Sequence, residues 1–281
     1  MHPVARITST GPGLSYQDSG RIGYSRFGVA PAGPMDSHAF TAANHLLDNL
    51  PDATCLEITL GGVSLEILEP TWIALTGAAS SSRLPPWSAR PFQAGEILVI
   101  NPAPHGIWSY MAFPGGLVTN KAFGSSSRHE RSNLGPNINT DATLMLPAAV
   151  GNIYPHIGSR ALTDSETRDY SSPPPIRVHP GPHSIADKTL ETFFNNHWTI
   201  SNQSDRTGFR LTGPTLAPEP TVPSLPVLPG TIQLPPSGQP IVTLNDGPTT
   251  GGYPILGIID PDDLSYFSQH APFSTVHFNP I

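Results

Sequence analysis

The stretch CLEITLGGVSLEILEPTWIAL, residues 55–75, predicts a series of short β-strands. Its apolar runs are only about five residues long, and they are separated by Gly61-Gly62 and by Pro70. Runs of this length bounded by turn residues are typical of strands rather than of helices. We therefore predict strands over residues 56–60, 64–68 and 71–75.

The same pattern extends outward in both directions along the chain. Helical spacing of apolar residues appears in a few places only, and Asp36 or Ser37 can cap the best example. Regularly spaced short strands with rare helices predict a mainly β protein, a barrel or a sandwich, rather than βαβ layers. Further strands are predicted at 3–7, 96–100, 108–113, 176–179, 198–201, 209–212, 241–244 and 255–259, and helices at 37–48, 186–194 and 260–269.

The composition limits the function classes. The net charge of −7 argues against a nucleic-acid or anionic-membrane partner, and no apolar stretch reaches the length of a membrane-spanning helix. No signal peptide is expected from the first residues, so the expected compartment is the cytoplasm. A single cysteine, Cys55, excludes an internal disulfide, and its apolar neighbours predict a buried, inert thiol.

A polar, proline-rich segment at about 157–175 is the predicted linker between two β-rich lobes. The N-terminal lobe would span residues 1–165, and the C-terminal lobe residues 176–281.

Charged residues make up only 12% of the chain, so places where they gather are informative. Asp18 and Arg21 flank a glycine turn, where a carboxylate and a guanidinium can face each other as a site or as a loop-stabilising ion pair. Asp36, at the mouth of the first helix, is either a plain N-cap or a site residue.

A second cluster lies at residues 204–210. If this segment is extended, the side chains of Arg206 and Arg210 lie on one face of it, and that of Asp205 lies on the other. Two convergent arginines can bind a carboxylate or a phosphate, and an internal salt-bridge network is the alternative.

The third cluster, residues 246–254, places consecutive glycines after hydroxyl residues. Such a segment either presents backbone N–H groups to an anion or forms a tight hairpin turn. It lacks the Gly-Lys-Ser/Thr of a nucleotide-binding P-loop, and the scattered histidines predict no metal site.

Six ordered motifs resemble the family of C-type subunits of 5-oxoprolinase, also called KipA-like or allophanate hydrolase subunit 2, which is related to the carboxyltransferase domain of urea carboxylase. The resemblance covers essentially the whole chain. Its motifs are Gln17-Asp18-Ser19-Gly20-Arg21, Pro31-Ala32-Gly33-Pro34-Met35-Asp36, Leu56-Glu57-Ile58-Thr59, Ser204-Asp205-Arg206-Thr207-Gly208-Phe209-Arg210, Pro229-Gly230-Thr231-Ile232-Gln233 and Thr249-Thr250-Gly251-Gly252-Tyr253-Pro254.

The resemblance implies a cyclophilin-like barrel and an ATP-dependent enzyme that opens 5-oxoproline to L-glutamate. It also implies two partners, a KipI-like protein as the B-type subunit, and a LamB/YcsF-like protein as the A-type subunit, with ATP and Mg²⁺ bound mainly by a partner. The alternatives are a biotin-dependent carboxyltransferase subunit of the urea carboxylase or allophanate hydrolase type, and a non-catalytic antagonist of a KipI-like kinase inhibitor.

Carried onto this chain, the motifs supply two groups of site residues. The family pattern departs at Trp108, Ser126, Pro248 and Ile255. Catalytic candidates are Asp18, Arg21, Asp205, Arg206 and Arg210, and substrate-binding candidates are Asp36, Glu57, Gln233, Thr249, Thr250, Gly251, Gly252 and Tyr253. We expect both groups to gather in one anion-receiving pocket.

Overall fold

The computed structural model describes residues 1–148 and 158–281. Over these residues the chain is mainly β, as predicted, with three short α-helices. The strands of the first part are β1 (His2–Thr10), β2 (Gly13–Gln17), β3 (Cys55–Thr59), β4 (Val63–Ile67), β5 (Thr71–Gly77), β6 (Ser88–Phe92), β7 (Ile97–Ile100), β8 (Trp108–Ala112), β9 (Thr143–Leu146) and β10 (Arg160–Ala161).

The remaining part of the chain continues with strands of two to five residues. They are β11 (Ile176–Pro180), β12 (Trp198–Ile200), β13 (Gly208–Thr212), β14 (Leu225–Pro226), β15 (Thr231–Gln233), β16 (Ile241–Thr243), β17 (Thr250–Gly251), β18 (Ile255–Ile259), β19 (Thr275–Val276) and β20 (Phe278–Pro280). The helices are α1 (Ser37–His45), α2 (Asp187–Phe194) and α3 (Pro261–Ser268), and Ser25–Phe27 forms one 3₁₀ turn.

Strands β3, β4 and β5 confirm the prediction for residues 55–75 to within two residues at each end. The first helix is shorter than predicted, because it ends at His45 rather than at residue 48. Asp48 has a φ of +51°, which a right-handed helix cannot contain. Asp36 is the N-cap, and its side chain accepts a hydrogen bond from the N–H of Ala39.

The described residues group into two compact units. The first unit contains residues 1–21 and 32–171, and the second contains residues 22–31 and 172–281. Strand β10 lies inside the segment predicted as a linker and pairs with β6 in the first unit. Residue 157, the first of that predicted linker, lies outside the described residues.

The first unit is built from two sheets with a shared core. One sheet has the order β7-β4-β1-β9, and the other has the order β10-β6-β5-β8-β3-β2. Apolar side chains of both sheets, such as Ile7 and Leu65 from one and Ile58 and Met111 from the other, belong to one buried cluster. Burial of these side chains is the main stabilising contribution in such a sandwich.

The second unit is a nearly closed barrel. Its eight-stranded sheet has the order β19-β12-β13-β16-β15-β18-β11-β20. Strands β19 and β20 hold opposite edges of this sheet, yet only His277 separates them along the chain. The sheet must therefore curl until its two edges approach each other. Buried aromatic rings fill the unit, and Phe193 stacks on Phe278 with ring centroids 5.0 Å apart.

No helix in residues 1–148 and 158–281 is long and apolar enough to cross a membrane.

Candidate functional site

Asp18, which follows strand β2, is the centre of the first cluster of site candidates. Its Oδ1 accepts hydrogen bonds from the Gly20 N–H at 3.0 Å and from the Ser125 hydroxyl at 2.5 Å. The Ser127 hydroxyl also reaches Oδ1, at 2.7 Å, and the Ser126 N–H reaches Oδ2 at 2.6 Å. Only 4% of Asp18 is exposed. The three donors from Ser125, Ser126 and Ser127 fix the serine segment to the end of β2.

Arg21 holds the same segment from a second direction. Its Nε donates to the carbonyl oxygen of Ala122 at 3.2 Å, and its Nη2 donates to that of Ser127. Ala122 and Ser125 pair through reciprocal backbone hydrogen bonds and form a tight hairpin. Arg21 is 1% exposed. Asp18 and Arg21 thus organise the segment 122–128, which the sequence analysis did not select.

Ser125, Ser126 and Ser127 are the residues that sequence reasoning missed in this cluster. All three are buried, and the Ser126 hydroxyl accepts hydrogen bonds from those of Thr54 at 3.0 Å and Thr119 at 2.8 Å. The sequence feature that could have identified them is a run of three hydroxyl residues directly after a glycine. Such a run supplies both side-chain and backbone donors to one carboxylate.

Glu57 belongs to a second cluster, which lies between the larger sheet of the first unit and the start of helix α1. It lies on β3 directly opposite Tyr110 on β8, and the phenol donates to Glu57 Oε2 at 2.6 Å. The N–H of Met35 donates to the same oxygen at 2.9 Å. Burial, and then the charges of Glu57 and Asp36, raise the pKa of Tyr110 well above its usual value. Tyr110 is therefore a neutral donor over the whole physiological pH range.

Asp36 joins this cluster through its backbone and its side chain. Its N–H donates to the Tyr110 hydroxyl oxygen at 2.8 Å, and its Oδ2 accepts from the Tyr170 hydroxyl at 2.6 Å. Trp87 lies beside Tyr170 with ring centroids 6.3 Å apart. Asp36, Glu57 and Tyr110 are all at most 1% exposed. The sequence identified the two carboxylates but neither tyrosine. The Tyr110 contact depends on the register of β3 and β8, and the Tyr170 contact joins residues that are 134 positions apart in the chain.

In the second unit, Arg206 is held by Asp246. Arg206 Nε donates to Asp246 Oδ2 at 2.8 Å, and Nη2 donates to Oδ1 at 3.1 Å. The side chains are 18% and 7% exposed, respectively. This bidentate geometry fixes the guanidinium plane. Asp246 is the first residue of the third sequence cluster, residues 246–254, but it was not among the predicted site residues.

The extended segment expected around Arg206 is a turn instead. Asp205 Oδ1 accepts from the N–H groups of Thr207 at 2.8 Å and Gly208 at 3.3 Å, so its side chain closes the turn. Strand β13 begins only at Gly208. Arg210 lies on the exposed face of that strand, and alternation along an extended chain therefore does not relate it to Arg206.

Gln233 and Gly251 lie against each other in the second unit. A Cβ atom added at Gly251 would be 2.5 Å from Gln233 Oε1, so a larger residue there would require the Gln233 side chain to move. Gln233 Nε2 donates to the Thr243 hydroxyl at 2.8 Å. A Cβ at Gly247, next to Asp246, would be 2.3 Å from the Thr243 methyl group. Gln233 and Thr243 therefore connect the segment 249–253 with Gly247, which is next to the Asp246 that holds Arg206.

The predicted anion-binding segment is half of a small ribbon. Strand β17 pairs with β14, and the carbonyl oxygens of Thr249 and Gly252 accept from Val227 at 3.0 Å and Val222 at 3.1 Å. Tyr253, at the end of this ribbon, is 40% exposed. The ribbon therefore places Thr249, Thr250, Gly251, Gly252 and Tyr253 on one short extended element.

Within each unit, several site candidates are adjacent. Asp18 with Arg21 and Asp36 with Glu57 form two clusters of the first unit. In the second unit, Gln233 contacts Gly251 of the ribbon, and Arg206 is held by Asp246, three residues before Thr249. That all of them share one pocket stays a prediction.

In residues 1–148 and 158–281, no group of three or more His, Cys, Asp or Glu side chains is arranged to hold a metal ion. Cys55 is buried, and burial raises the pKa of its thiol far above the usual value.

Comparison with known proteins gives matches along the full chain. The family described as carboxyltransferase domain, subdomain A and B, matches residues 27–280. The chain is 33% identical to the C-type subunit of 5-oxoprolinase from Escherichia coli (strain K12), in an alignment that covers 98% of this chain and 90% of that protein.

Solved structures agree in fold. The crystal structure of TTHA0988 has a TM-score of 0.89 and 28% identity, and the match covers 99% of this chain and 56% of that one. The Kluyveromyces lactis urea carboxylase structure has a TM-score of 0.90 and 27% identity, with 100% and 28% coverage. This chain therefore spans little more than half of the first protein and less than a third of the second.

Proposed function

The chain belongs to the family of C-type 5-oxoprolinase subunits, which are carboxyltransferase-type domains, and we propose that it is the C-type subunit of an ATP-dependent 5-oxoprolinase. The enzyme would open 5-oxoproline to L-glutamate. One observation carries this proposal: the match to the E. coli 5-oxoprolinase subunit extends over nearly the whole of both proteins. The cytoplasmic location expected from the sequence stays a prediction.

The chemistry explains why such an enzyme needs ATP. A five-membered lactam is a resonance-stabilised amide, and its opening is uphill near neutral pH. Transfer of the terminal phosphoryl group of ATP to the lactam oxygen would release ADP and make the ring carbon electrophilic. Addition of one water and cleavage of the ring C–N bond, with protonation of the nitrogen, would give an acyl phosphate, and a second water would hydrolyse this to L-glutamate and phosphate. The charge that develops on the substrate requires fixed N–H donors and cations around it.

We place ATP and its Mg²⁺ mainly on the partner proteins, as the family resemblance implies, and we derive no step of this chain through them. The proposed partners are a KipI-like protein and a LamB/YcsF-like protein.

Arg206 is the residue to which we assign recognition of the substrate carboxylate or of a phosphate. Its guanidinium is pre-organised by Asp246, which reduces the entropy lost when an anion binds. The adjacent segment from Thr249 to Gly252 would supply donors to a developing oxyanion. Gln233 packs against that segment through its contact with Gly251.

In the first unit, the proposed roles are positional. Asp18 and Arg21 hold the hairpin segment 122–128 in place. Glu57 and Tyr110 fix the entry to helix α1 through the N–H groups of Met35 and Asp36. Substitution there would disturb the site through geometry rather than through a lost reacting group.

A second candidate function is carboxyl transfer from carboxybiotin, within a urea carboxylase-type enzyme. The close structural match to the K. lactis urea carboxylase favours it. It predicts a biotin-carrier partner and urea as the acceptor. A non-catalytic KipA-type antagonist is the third alternative, and it predicts binding to a KipI-like inhibitor without turnover.

Reconstitution distinguishes these functions. The purified chain is combined with the organism's own KipI-like and LamB/YcsF-like proteins, and glutamate and ADP are measured with 5-oxoproline and ATP. We expect stoichiometric products that disappear when this chain is omitted. Parallel reactions contain urea with a biotinylated carrier. Turnover only in those reactions would replace the main proposal with the second one.

A matched pair of variants tests the assignment of Arg206. Arg206→Gln should lower kcat/KM by about 100-fold, as is typical when a charged substrate contact is removed. Arg6→Gln removes an exposed arginine 3.8 Å from Glu66 in the first unit and should leave kcat/KM unchanged. Equal activities of the two variants would remove Arg206 from the site.

A further inference from the structure

A small polar cavity lies in the first unit, beside strand β2. It has a volume of about 250 Å³ and is bounded by Leu14 of β2 and by residues of the segment 128–139. Sites for drug-sized molecules usually measure about 300–1,000 Å³, so this cavity suits a smaller compound. None of the residues that line it was predicted as a site residue.

The wall of the cavity is fixed by local contacts of the backbone. His129 and Leu134 exchange two backbone hydrogen bonds of 2.9 and 3.1 Å, which close the loop between them. Gly135 has a φ of +74° and lies close to Ser127, since an added Cβ would be 2.4 Å from the Ser127 carbonyl oxygen. A cavity with a fixed wall loses little conformational entropy when a ligand binds.

Arg128 is the buried cation of this cavity, because its side chain is 8% exposed. Its Nη1 donates to Asn133 Oδ1 at 3.0 Å and to the Gly135 carbonyl oxygen at 2.9 Å. Its Nη2 donates to Glu130 Oε2 at 2.7 Å. Within residues 1–148 and 158–281, its Nε has no hydrogen-bond acceptor. Buried donors of this kind are rare in folded proteins, and a bound group is one way of satisfying them.

The edge of Arg128 that carries Nε and Nη2 is the edge that binds carboxylates side-on. Arg206 uses the same two atoms to bind both oxygens of Asp246. Glu130 contacts Arg128 through one oxygen and Nη2. A free carboxylate that replaces Glu130 can bind both donors in the bidentate geometry that Arg206 shows.

Glu130 is able to leave Arg128, since its side chain is 77% exposed. The hydrogen bond from Arg128 lowers the pKa of Glu130, so this carboxylate is charged at neutral pH. Ion pairs with an exposed partner contribute little to stability. A simple anion in its place on Arg128 would leave the Glu130 charge nearby and unpaired. A ligand that also carries an ammonium group gives Glu130 a new partner.

We infer that this cavity binds a free α-amino acid, whose carboxylate lies on Arg128 and whose ammonium group lies on Glu130. Among the described residues that line the cavity, these two are the charged ones, and their charges sum to zero, which matches a zwitterion. The amides of Asn137 and Asn139 also line the cavity and supply donors and acceptors for a polar side chain. The site does not depend on the proposed function, because binding there requires neither a partner protein nor turnover.

Titration calorimetry of the purified full chain with L-glutamate tests the site, and glutarate, which lacks only the ammonium group, is the comparison ligand. We expect L-glutamate to bind with a Kd below about 1 mM, which suits a ligand of about ten non-hydrogen atoms. Glutarate should bind at least about tenfold more weakly. Arg206→Gln should keep the Kd for L-glutamate, because Arg206 belongs to the second unit. If the wild-type chain did not bind L-glutamate, or if Arg206→Gln abolished this binding, the inference would be overturned.

Glu130→Gln tests the ammonium contact, and it leaves the buried guanidinium in place. It should weaken L-glutamate binding by at least about tenfold and strengthen glutarate binding, because the ammonium loses its partner and the ligand carboxylate no longer meets the Glu130 charge. Glu66→Gln is the matched control, since it removes a 39% exposed carboxylate from the same unit and should change neither Kd. An unchanged Kd for L-glutamate in Glu130→Gln, an equal change in Glu66→Gln, or equal binding of both ligands to the wild-type chain would contradict the amino-acid site.

Discussion

The phenol of Tyr110 and the carboxylate of Glu57 meet across β8 and β3, with 2.6 Å between their oxygens in the core of the first unit. The same phenol oxygen accepts the N–H of Asp36 at 2.8 Å, which directly precedes helix α1. One hydroxyl thus connects the sheet to the start of the helix. Since all three residues are buried, water cannot replace either bond.

Tyr110→Phe should therefore destabilise the chain by about 2–4 kcal/mol, since two buried groups each lose a partner at a cost of about 1–3 kcal/mol. The measurement is urea-induced unfolding followed by circular dichroism. Tyr253→Phe is the control, because Tyr253 is 40% exposed and should cost less than about 0.5 kcal/mol. Equal losses for the two variants would contradict a structural role for the Tyr110 hydroxyl.

The strands around this pair were predictable, but the pair itself was not. Short apolar runs and turn residues located β3 and β8 because both signals are local in sequence. The pairing of Glu57 with Tyr110 depends on the register of two strands more than fifty residues apart, which local patterns do not encode. For the same reason the hydrogen bond from Tyr170 to Asp36, which joins two distant segments of the chain, was not predicted.

Cys55 gives a prediction about pH. Burial raises the pKa of its thiol in the folded chain, so the unfolded chain loses this proton first, near pH 8.5. Above that pH the unfolded state binds fewer protons, and stability falls as pH rises. Between pH 8 and pH 10 this group should remove about 2 kcal/mol from the free energy of unfolding.

The comparison of the wild-type chain with Cys55→Ala isolates this contribution. The variant loses some packing at every pH, so the informative quantity is the change in unfolding free energy from pH 8 to pH 10. We expect that change to be smaller in Cys55→Ala by about 2 kcal/mol. Identical pH dependence in both proteins would show that the thiol titrates normally in the folded chain.

Asp36 has two separable structural roles. Its Oδ1 caps helix α1 by accepting from Ala39 at 2.9 Å, and its Oδ2 accepts from Tyr170 at 2.6 Å. Asp36→Ser should keep the cap and lose the tyrosine contact, whereas Asp36→Ala should lose both and cost about 1 kcal/mol more. Thermal unfolding of both variants and of Tyr170→Phe checks this, and equal losses for Asp36→Ser and Asp36→Ala would contradict the capping role.

The second unit shows a different limit of sequence reasoning. The cluster from Ser204 to Arg210 was selected for its charged residues, and its geometry was expected to be extended. Asp205 bonds to the N–H groups of Thr207 and Gly208 instead, which closes a turn and directs Arg206 toward Asp246. Aspartate is depleted in strands and its side chain closes turns of this kind, so Asp205 itself carried a turn signal that the alternation argument overlooked.

Arg206 and Asp246 should be energetically coupled. Their side chains are 18% and 7% exposed, so removing one partner leaves a charge largely shielded from water. Arg206→Ala and Asp246→Ala should each cost about 2–3 kcal/mol, and the double variant should cost less than their sum by about 1–2 kcal/mol. Arg160 and Asp48, which are 42% and 65% exposed, provide the control pair, with an expected coupling below about 0.5 kcal/mol. A double-mutant cycle in urea measures both couplings. If the two pairs gave the same value, Asp246 would not fix the arginine, and the pre-organised anion site proposed around Arg206 would lose its physical basis.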